Sequence, residues 1–269
     1  MAQSVEISRQ PFLQTRRRDA WWVAPLLSGG LLALFGVYAF WAALQNAYYY
    51  GPPGFVTLDA LGRAVDGPYL TPFYSPLFLA RWWPLSPAFL ILWAPLGFRA
   101  TCYYYRKTYY RAFFMDPLGC AVGEPRHGYR GETALPFILQ NAHRFFLYLA
   151  LIVGGILFYD ALLAFRWPDG HGGHHFGFGV GTLIMLINSI LINVYSFSCH
   201  SLRHLVGGRV DCFSCTKLGQ TRFKAWRAVT RLNEHHGFWA TISMLTVGLT
   251  DVYLRLVAMG KLVDYHWIF

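Results

Sequence analysis

Residues 137–165 read FILQNAHRFFLYLALIVGGILFYDALLAF. A helix needs about 20 mostly apolar residues to cross the hydrocarbon core of a bilayer, and this stretch is long enough to do so. Working outward in both directions, the same criterion predicts further spans. The short loop RWPDGHGGHH, residues 166–175, turns into a span at 176–206, and a last span follows at 236–259. Upstream lie spans at 82–105, whose first half is shaped by Pro84, Pro87 and Pro95, and at 21–46. Residues 48–81 are rich in Pro, Gly and Tyr and contain GPPG with repeated X–Pro steps, so they read as an ordered loop hugging the membrane surface. The expected fold class is all-α: one membrane domain over residues 1–269, a polytopic bundle of five transmembrane helices.

Composition agrees. Only 13% of the 269 residues are charged and 55% are hydrophobic, whereas soluble domains carry about 25% charge. Lipid-facing surface removes the need for that charge. Aromatics reach 18%, and Trp and Tyr are at home at membrane interfaces. The net charge of +10 invites a nucleic-acid reading. The charges flank the apolar spans, however, so membrane topology explains them and nucleic acid is not an expected partner. The polar start, MAQSVEISRQPFLQTRRRDA, and the length of the first apolar run read as no cleavable signal peptide.

Orientation follows from Lys and Arg in the loops. The N-terminal tail has Arg9, Arg16, Arg17 and Arg18. The loop between the second and third spans has Arg106, Lys107, Arg111, Arg126 and Arg130. The loop between the fourth and fifth has Arg203, Arg209, Lys217, Arg222, Lys224, Arg227 and Arg231. With five spans these segments share one side. The expectation is a multi-pass protein of the cell's inner (plasma) membrane, with its N-terminus cytoplasmic and its C-terminus outside. The chain shows no internal repeat. Gly177 and Gly181 stand at GxxxG spacing, a weak signal for close helix packing.

The chemistry-bearing region is FSCHSLRHLVGGRVDCFSC, residues 197–215, followed by LNEHHGFWATISM, residues 232–244. His200 and His204 are four apart and share a helix face, with Cys199 beside them. Cys212 and Cys215 form a CxxC just beyond. His235 and His236 open the fifth span, and His143 lies near the start of the third. Topology brings all these groups to one depth. Two Cys with two His is the ligand set of a Rieske-type 2Fe–2S centre. The same atoms make a structural zinc site, and haem b takes two His from facing helices. Against these stand plainer readings: a chance CxxC, an interfacial His pair, and histidines that only start a helix.

Elsewhere, His171, His174 and His175 fall on the opposite face and read as a Gly-rich turn with solvated imidazoles. Cys102 reads as a packing thiol inside the second span, and Cys120 as a loop thiol. Five cysteines, an odd number, argue against a complete disulfide framework. Asp251 and Arg255, at i,i+4 in the last span, read as a mutually neutralising pair, with Asp160 a candidate to join them.

NAHRFFLYLAL (141–151), SFSCHSLRHLVGG (196–208), DCFSC (211–215) and HHGFWATISMLTVGLTDVYLRLVAMG (235–260) resemble the membrane-anchor subunit of succinate dehydrogenase, in the branch with a five-helix, single-chain anchor. The resemblance covers roughly residues 137–260. It implies partners: a flavoprotein subunit that oxidises succinate and an iron–sulfur subunit that docks on the cytoplasmic side. It implies that the anchor passes electrons through a cytoplasmic-face metal centre to a membrane quinone, menaquinone or ubiquinone. Five-helix anchors of this family hold two haems b, with axial His on the first, second, fourth and fifth helices. The first two spans here contain no His, so the resemblance points instead to the branch in which a Rieske-type 2Fe–2S cluster replaces haem.

On spacing, Cys212 and Cys215 are the expected thiolates, and two of His200, His204 and His236 the imidazoles, with His235 in reserve. Arg203 and Trp239 are candidate neighbours of the cluster or quinone. Two alternatives stand beside this: a single haem b between His143 and a His of the fourth or fifth helix, and a non-redox membrane scaffold with a structural zinc site.

Overall fold

The computed structural model describes residues 11–59, 62–125, 133–135, 137–169, 173–208 and 210–269. Arg9, Arg126, Arg130, His171 and Arg209 lie outside the described residues. Helix α1 is Val23–Leu44 and α2 is Ala88–Thr101. A short helix α3, Tyr103–Tyr109, follows α2 after a one-residue break. A 3₁₀ turn, Phe137–Ala142, leads into α4, His143–Leu163. Then come α5 (Val180–Phe197), α6 (His200–Gly207), α7 (Gly219–Glu234) and α8 (His236–Ala258).

Among the described residues, four stretches are long and apolar enough to cross a membrane: Val23–Leu44, Ile138–Leu163, Val180–Phe197 and His236–Ala258. The expected second span differs. Its helix has 14 residues, about 21 Å at 1.5 Å per residue, short of the ~30 Å hydrocarbon core. Pro84 and Pro87 delay its start to Ala88, and the chain leaves helical geometry at Cys102 (φ −70°, ψ 133°). The fourth span is also shorter than expected. Residues His174–Gly179 are a strand, and the chain breaks again at Cys199 (φ −67°, ψ 137°), which separates α5 from α6. Gly177 therefore lies in a strand. Gly181 instead makes room for the Tyr69 ring, which a Cβ there would meet at 2.5 Å, so the GxxxG reading does not hold.

Helix α4 packs between α2 and α5, and α5 packs on α8. The C-terminal ends of α2 and α5 meet the N-terminal ends of α4 and α8 at one depth, so these four helices alternate in direction. Large apolar side chains such as Leu34, Val37, Ile152, Ile187 and Leu249 stay exposed on the helices. That is the surface a hydrocarbon environment requires and water penalises.

The opposite end is closed by small sheets. Strand β1 (Tyr50–Gly51) pairs with β4 (Tyr69–Leu70), and β2 (Val56–Leu58) with β3 (Ala64–Asp66). Strand β6 (His174–Gly179) lies between β5 (Arg166–Pro168) and β7 (His266–Ile268). Asp264 ties this end together, accepting hydrogen bonds from the hydroxyls of Tyr69 (2.8 Å) and Tyr253 (2.7 Å) and from the Gly181 N–H (2.8 Å). Asp251 and Arg255 form the expected pair at 3.0 Å, both buried, and Tyr38 donates to Asp251 at 2.7 Å. Asp160 bonds Ser75 rather than joining them.

Candidate functional site

The site forms where four helix ends converge. Thr101 is the last residue of α2 and Cys102 follows it. Ser198 and Cys199 follow α5. His143 opens α4 and His236 opens α8. Both cysteines are 1% exposed, and each caps the short helix that comes next: Cys102 precedes α3, and Cys199 accepts the Ser201 N–H at 3.3 Å at the start of α6.

The contacts cross between the helix pairs. His143 Nε2 lies 3.1 Å from Cys199 Sγ, and His236 Nε2 lies 3.3 Å from Cys102 Sγ. On the far side of each ring, His143 Nδ1 lies 2.9 Å from Thr101 Oγ1 and His236 Nδ1 lies 2.7 Å from Ser198 Oγ. The two halves repeat one another: Thr101-Cys102 with Arg106 four residues on from the cysteine, and Ser198-Cys199 with Arg203 at the same offset. This local repeat is not evident from the helical spans, which differ in length and apolar sequence.

The surroundings are apolar and close-packed. Phe98, Tyr105, Leu147, Ala150, Tyr195, Ala240 and Met244 form one buried cluster with the two cysteines. Phe98 stacks on the His143 ring at 4.8 Å and Tyr195 on the His236 ring at 5.2 Å. The Arg99 guanidinium lies 4.9 Å from the Tyr195 ring centroid. Burial pushes the Cys199 thiol up to about 11, so it becomes a thiolate only beside a cation, as when it ligates a metal. Among the described residues at this site, the Tyr195 hydroxyl, next to Cys102, and the Trp239 indole N–H are buried donors without a well-formed hydrogen bond. Buried polar groups are otherwise nearly always satisfied.

The expected ligands fare unequally. His143 and His236 are in the cluster. Cys212 and Cys215 are not; they bond each other as a disulfide across a 3₁₀ turn in the loop after α6, so neither offers a free thiolate. His200 and His204 lie on the exposed side of α6 and face each other at 3.0 Å. Burial, His204 and Arg203 together hold the His200 imidazole below its usual range. His235 is exposed at the end of α7. Arg203 braces α6 against α7, donating to Thr230 at 3.1 Å with its guanidinium over the Trp226 ring. Trp239 packs against the buried cluster one turn after His236. Cys102, read from sequence as a packing thiol, is a member of the site.

The donor set bears directly on which group fits. Among the described residues no three or more Cys, His, Asp or Glu side chains gather as a site for one metal ion. The four donors stand instead as two Cys–His pairs, and their inventory of two thiols and two imidazoles is that of a Rieske-type 2Fe–2S unit. A bis-histidine haem fits poorly, because the Nε2 atom that would bind its iron lies against a cysteine sulfur in both rings, at 3.1 and 3.3 Å.

A family model described as actinobacterial succinate dehydrogenase subunit SdhC matches residues 23–260. A chain in the solved structure titled "Mycobacterium smegmatis Sdh1 complex in the apo form" is similar, with a TM-score of 0.80 and 40% identity over 97% of this chain and 96% of that one. Curated proteins give no match.

Proposed function

The chain belongs to the actinobacterial succinate dehydrogenase subunit SdhC family, and from that premise we propose that it is the membrane anchor that links succinate oxidation to a membrane quinone. The residues that would hold a Rieske-type 2Fe–2S cluster are Cys102 and Cys199 through sulfur, and His143 and His236 through nitrogen. When bound, that group supplies one-electron relay chemistry between a docked iron–sulfur subunit and the quinone. The observation that carries the reading is the convergence of two buried thiols and two imidazoles from four helix ends, with Sγ–Nε2 separations of 3.1 and 3.3 Å.

The chain's own residues have definable tasks. Phe98, Leu147 and Met244 exclude water from the thiols, which strengthens every electrostatic interaction inside. Arg99 places a positive charge beside the site. Among the described residues no carboxylate forms an ion pair with it; its donors reach the Tyr105 and Ser243 hydroxyls and the Ala240 carbonyl. A cation there favours the more negative, reduced state of a nearby redox group. The Tyr195 hydroxyl and Trp239 N–H are donors available to cluster sulfur or to a quinone oxygen.

Helices α6 and α7 carry Arg203, Arg222, Lys224, Arg227 and Arg231 at the same end of the bundle. By the positive-inside rule this end is cytoplasmic. It is the face on which the iron–sulfur and flavoprotein subunits would dock.

Two measurements test this. The purified, succinate-reduced complex should show a cluster signal that disappears in Cys102→Ala, with no haem Soret band. A Soret band with sharp α bands on reduction would favour haem b instead. Replacing both Cys212 and Cys215 with serine should leave that signal and the iron content unchanged. Loss of the cluster in this double variant would return the ligand role to the CxxC loop.

A further inference from the structure

The two hydroxyls behind the imidazoles decide which ring nitrogen faces the thiols. Thr101 Oγ1 donates its proton to the Gly97 carbonyl at 2.7 Å, and Ser198 Oγ donates to the Tyr195 carbonyl at 2.8 Å. A hydroxyl has one proton. With its proton so placed, each oxygen accepts from the imidazole Nδ1 that approaches it, at 2.9 Å for His143 and 2.7 Å for His236, and the opposite tautomer would require each hydroxyl to give up its bond to the helix carbonyl. Nδ1 then carries the ring proton, and Nε2 presents a lone pair toward Cys199 in one ring and Cys102 in the other.

We propose that Thr101 and Ser198 are positioning residues that fix the tautomer and aim of His143 and His236, so that both imidazoles bind the cluster through Nε2. This rests on the ligand set argued above. The same residue that precedes each cysteine holds the histidine that faces the other cysteine, so each helix end supplies a thiol and the support for an imidazole. The main-chain carbonyls that orient the hydroxyls belong to α2 and α5 themselves, and a helix interior is a rigid support. Both ring N–H groups are consumed by these bonds. Neither imidazole keeps a free N–H for a quinone, which must find its hydrogen-bond donors elsewhere.

The test uses the intact complex, with Thr101→Val and Ser198→Ala set against the hydroxyl-keeping Thr101→Ser and Ser198→Thr. Three readouts are taken: the electron paramagnetic resonance signal that Cys102→Ala removes, its midpoint potential, and retention of cluster iron under a chelator. An imidazole whose N–H is hydrogen-bonded is the stronger electron donor and favours the oxidised state. Removing the acceptor should therefore raise the midpoint potential, change the g-values, and weaken iron retention by roughly 10–100-fold. The conservative pair should behave as wild type.

If Thr101→Val prevents assembly, Ser198→Ala carries the test alone through the second ring. An unchanged potential, spectrum and retention in Ser198→Ala, with a normal wild-type signal, overturns the positioning role and leaves the ligand set standing. A wild-type complex with no signal sensitive to Cys102 overturns the ligand set itself.

Discussion

Cys102→Ala is expected to reduce succinate-driven quinone reduction by more than about 100-fold, since loss of even an outer-shell partner of a metal ligand costs about 10–100-fold. Oxidation of succinate with a soluble dye as acceptor should be unchanged, because that path ends before the membrane. Cys102 is 1% exposed, faces His236 at 3.3 Å, and sits in an apolar pocket where water cannot replace a missing ligand. Cys199→Ala should give the same loss, and the double variant no more than either alone, because ligands of one cluster act as a unit and their effects are not additive. Quinone reduction at the wild-type rate in Cys102→Ala would remove this residue from the electron path.

The second large effect concerns stability at the far end of the bundle. Arg255→Leu is expected to destabilise the chain by about 3–5 kcal/mol, the cost of leaving a buried charge without its partner. Asp251 is fully buried and Arg255 is 2% exposed. The guanidinium meets the carboxylate at 3.0 Å, donates to the Ala47 carbonyl, and lies over the rings of Trp41 and Tyr74. It therefore joins α8 to the segment after α1. The double variant Asp251→Asn/Arg255→Leu removes the orphaned charge and should recover part of the loss. Thermal unfolding of the detergent-purified complex reads both; equal melting of single and double variants would mean that packing, not charge, carries the effect.

Much of the fold is written in hydropathy, because apolar length is a local property. The first, third and fifth spans fall within a few residues of their helices: α1, the 3₁₀ turn with α4, and α8. The second and fourth spans are harder to read at both ends, since their helices also start later than expected, at Ala88 and Val180. Each breaks at a cysteine, Cys102 or Cys199, and an apolar run gives no sign that its backbone has turned extended. The same breaks hid half of the site. His236 and His143 stand out in the sequence because histidine is conspicuous near a membrane, His236 as a candidate cluster ligand and His143 as a candidate haem ligand. Cys102 reads as a packing thiol because, in the sequence, it lies inside an unbroken apolar span.

The CxxC drew attention by its compactness, yet the groups that meet are far apart in the chain: 134 residues separate Cys102 from His236, and 56 separate His143 from Cys199. A usable signal was present in the two dipeptides Thr101-Cys102 and Ser198-Cys199, each with an arginine four residues after its cysteine. It becomes meaningful only once the helices are known to end there.

On the proposed reading, the imidazoles that open α4 and α8 and the thiols that follow α2 and α5 hold one cluster. Pulsed electron paramagnetic resonance of the reduced complex, prepared with ¹⁵N-histidine, tests it most directly. Strong couplings to two histidine nitrogens are expected on the signal that depends on Cys102, with one coupling lost in each of His143→Cys and His236→Cys. Both couplings surviving in those variants, or disappearing instead on replacement of His200 and His204, would contradict it.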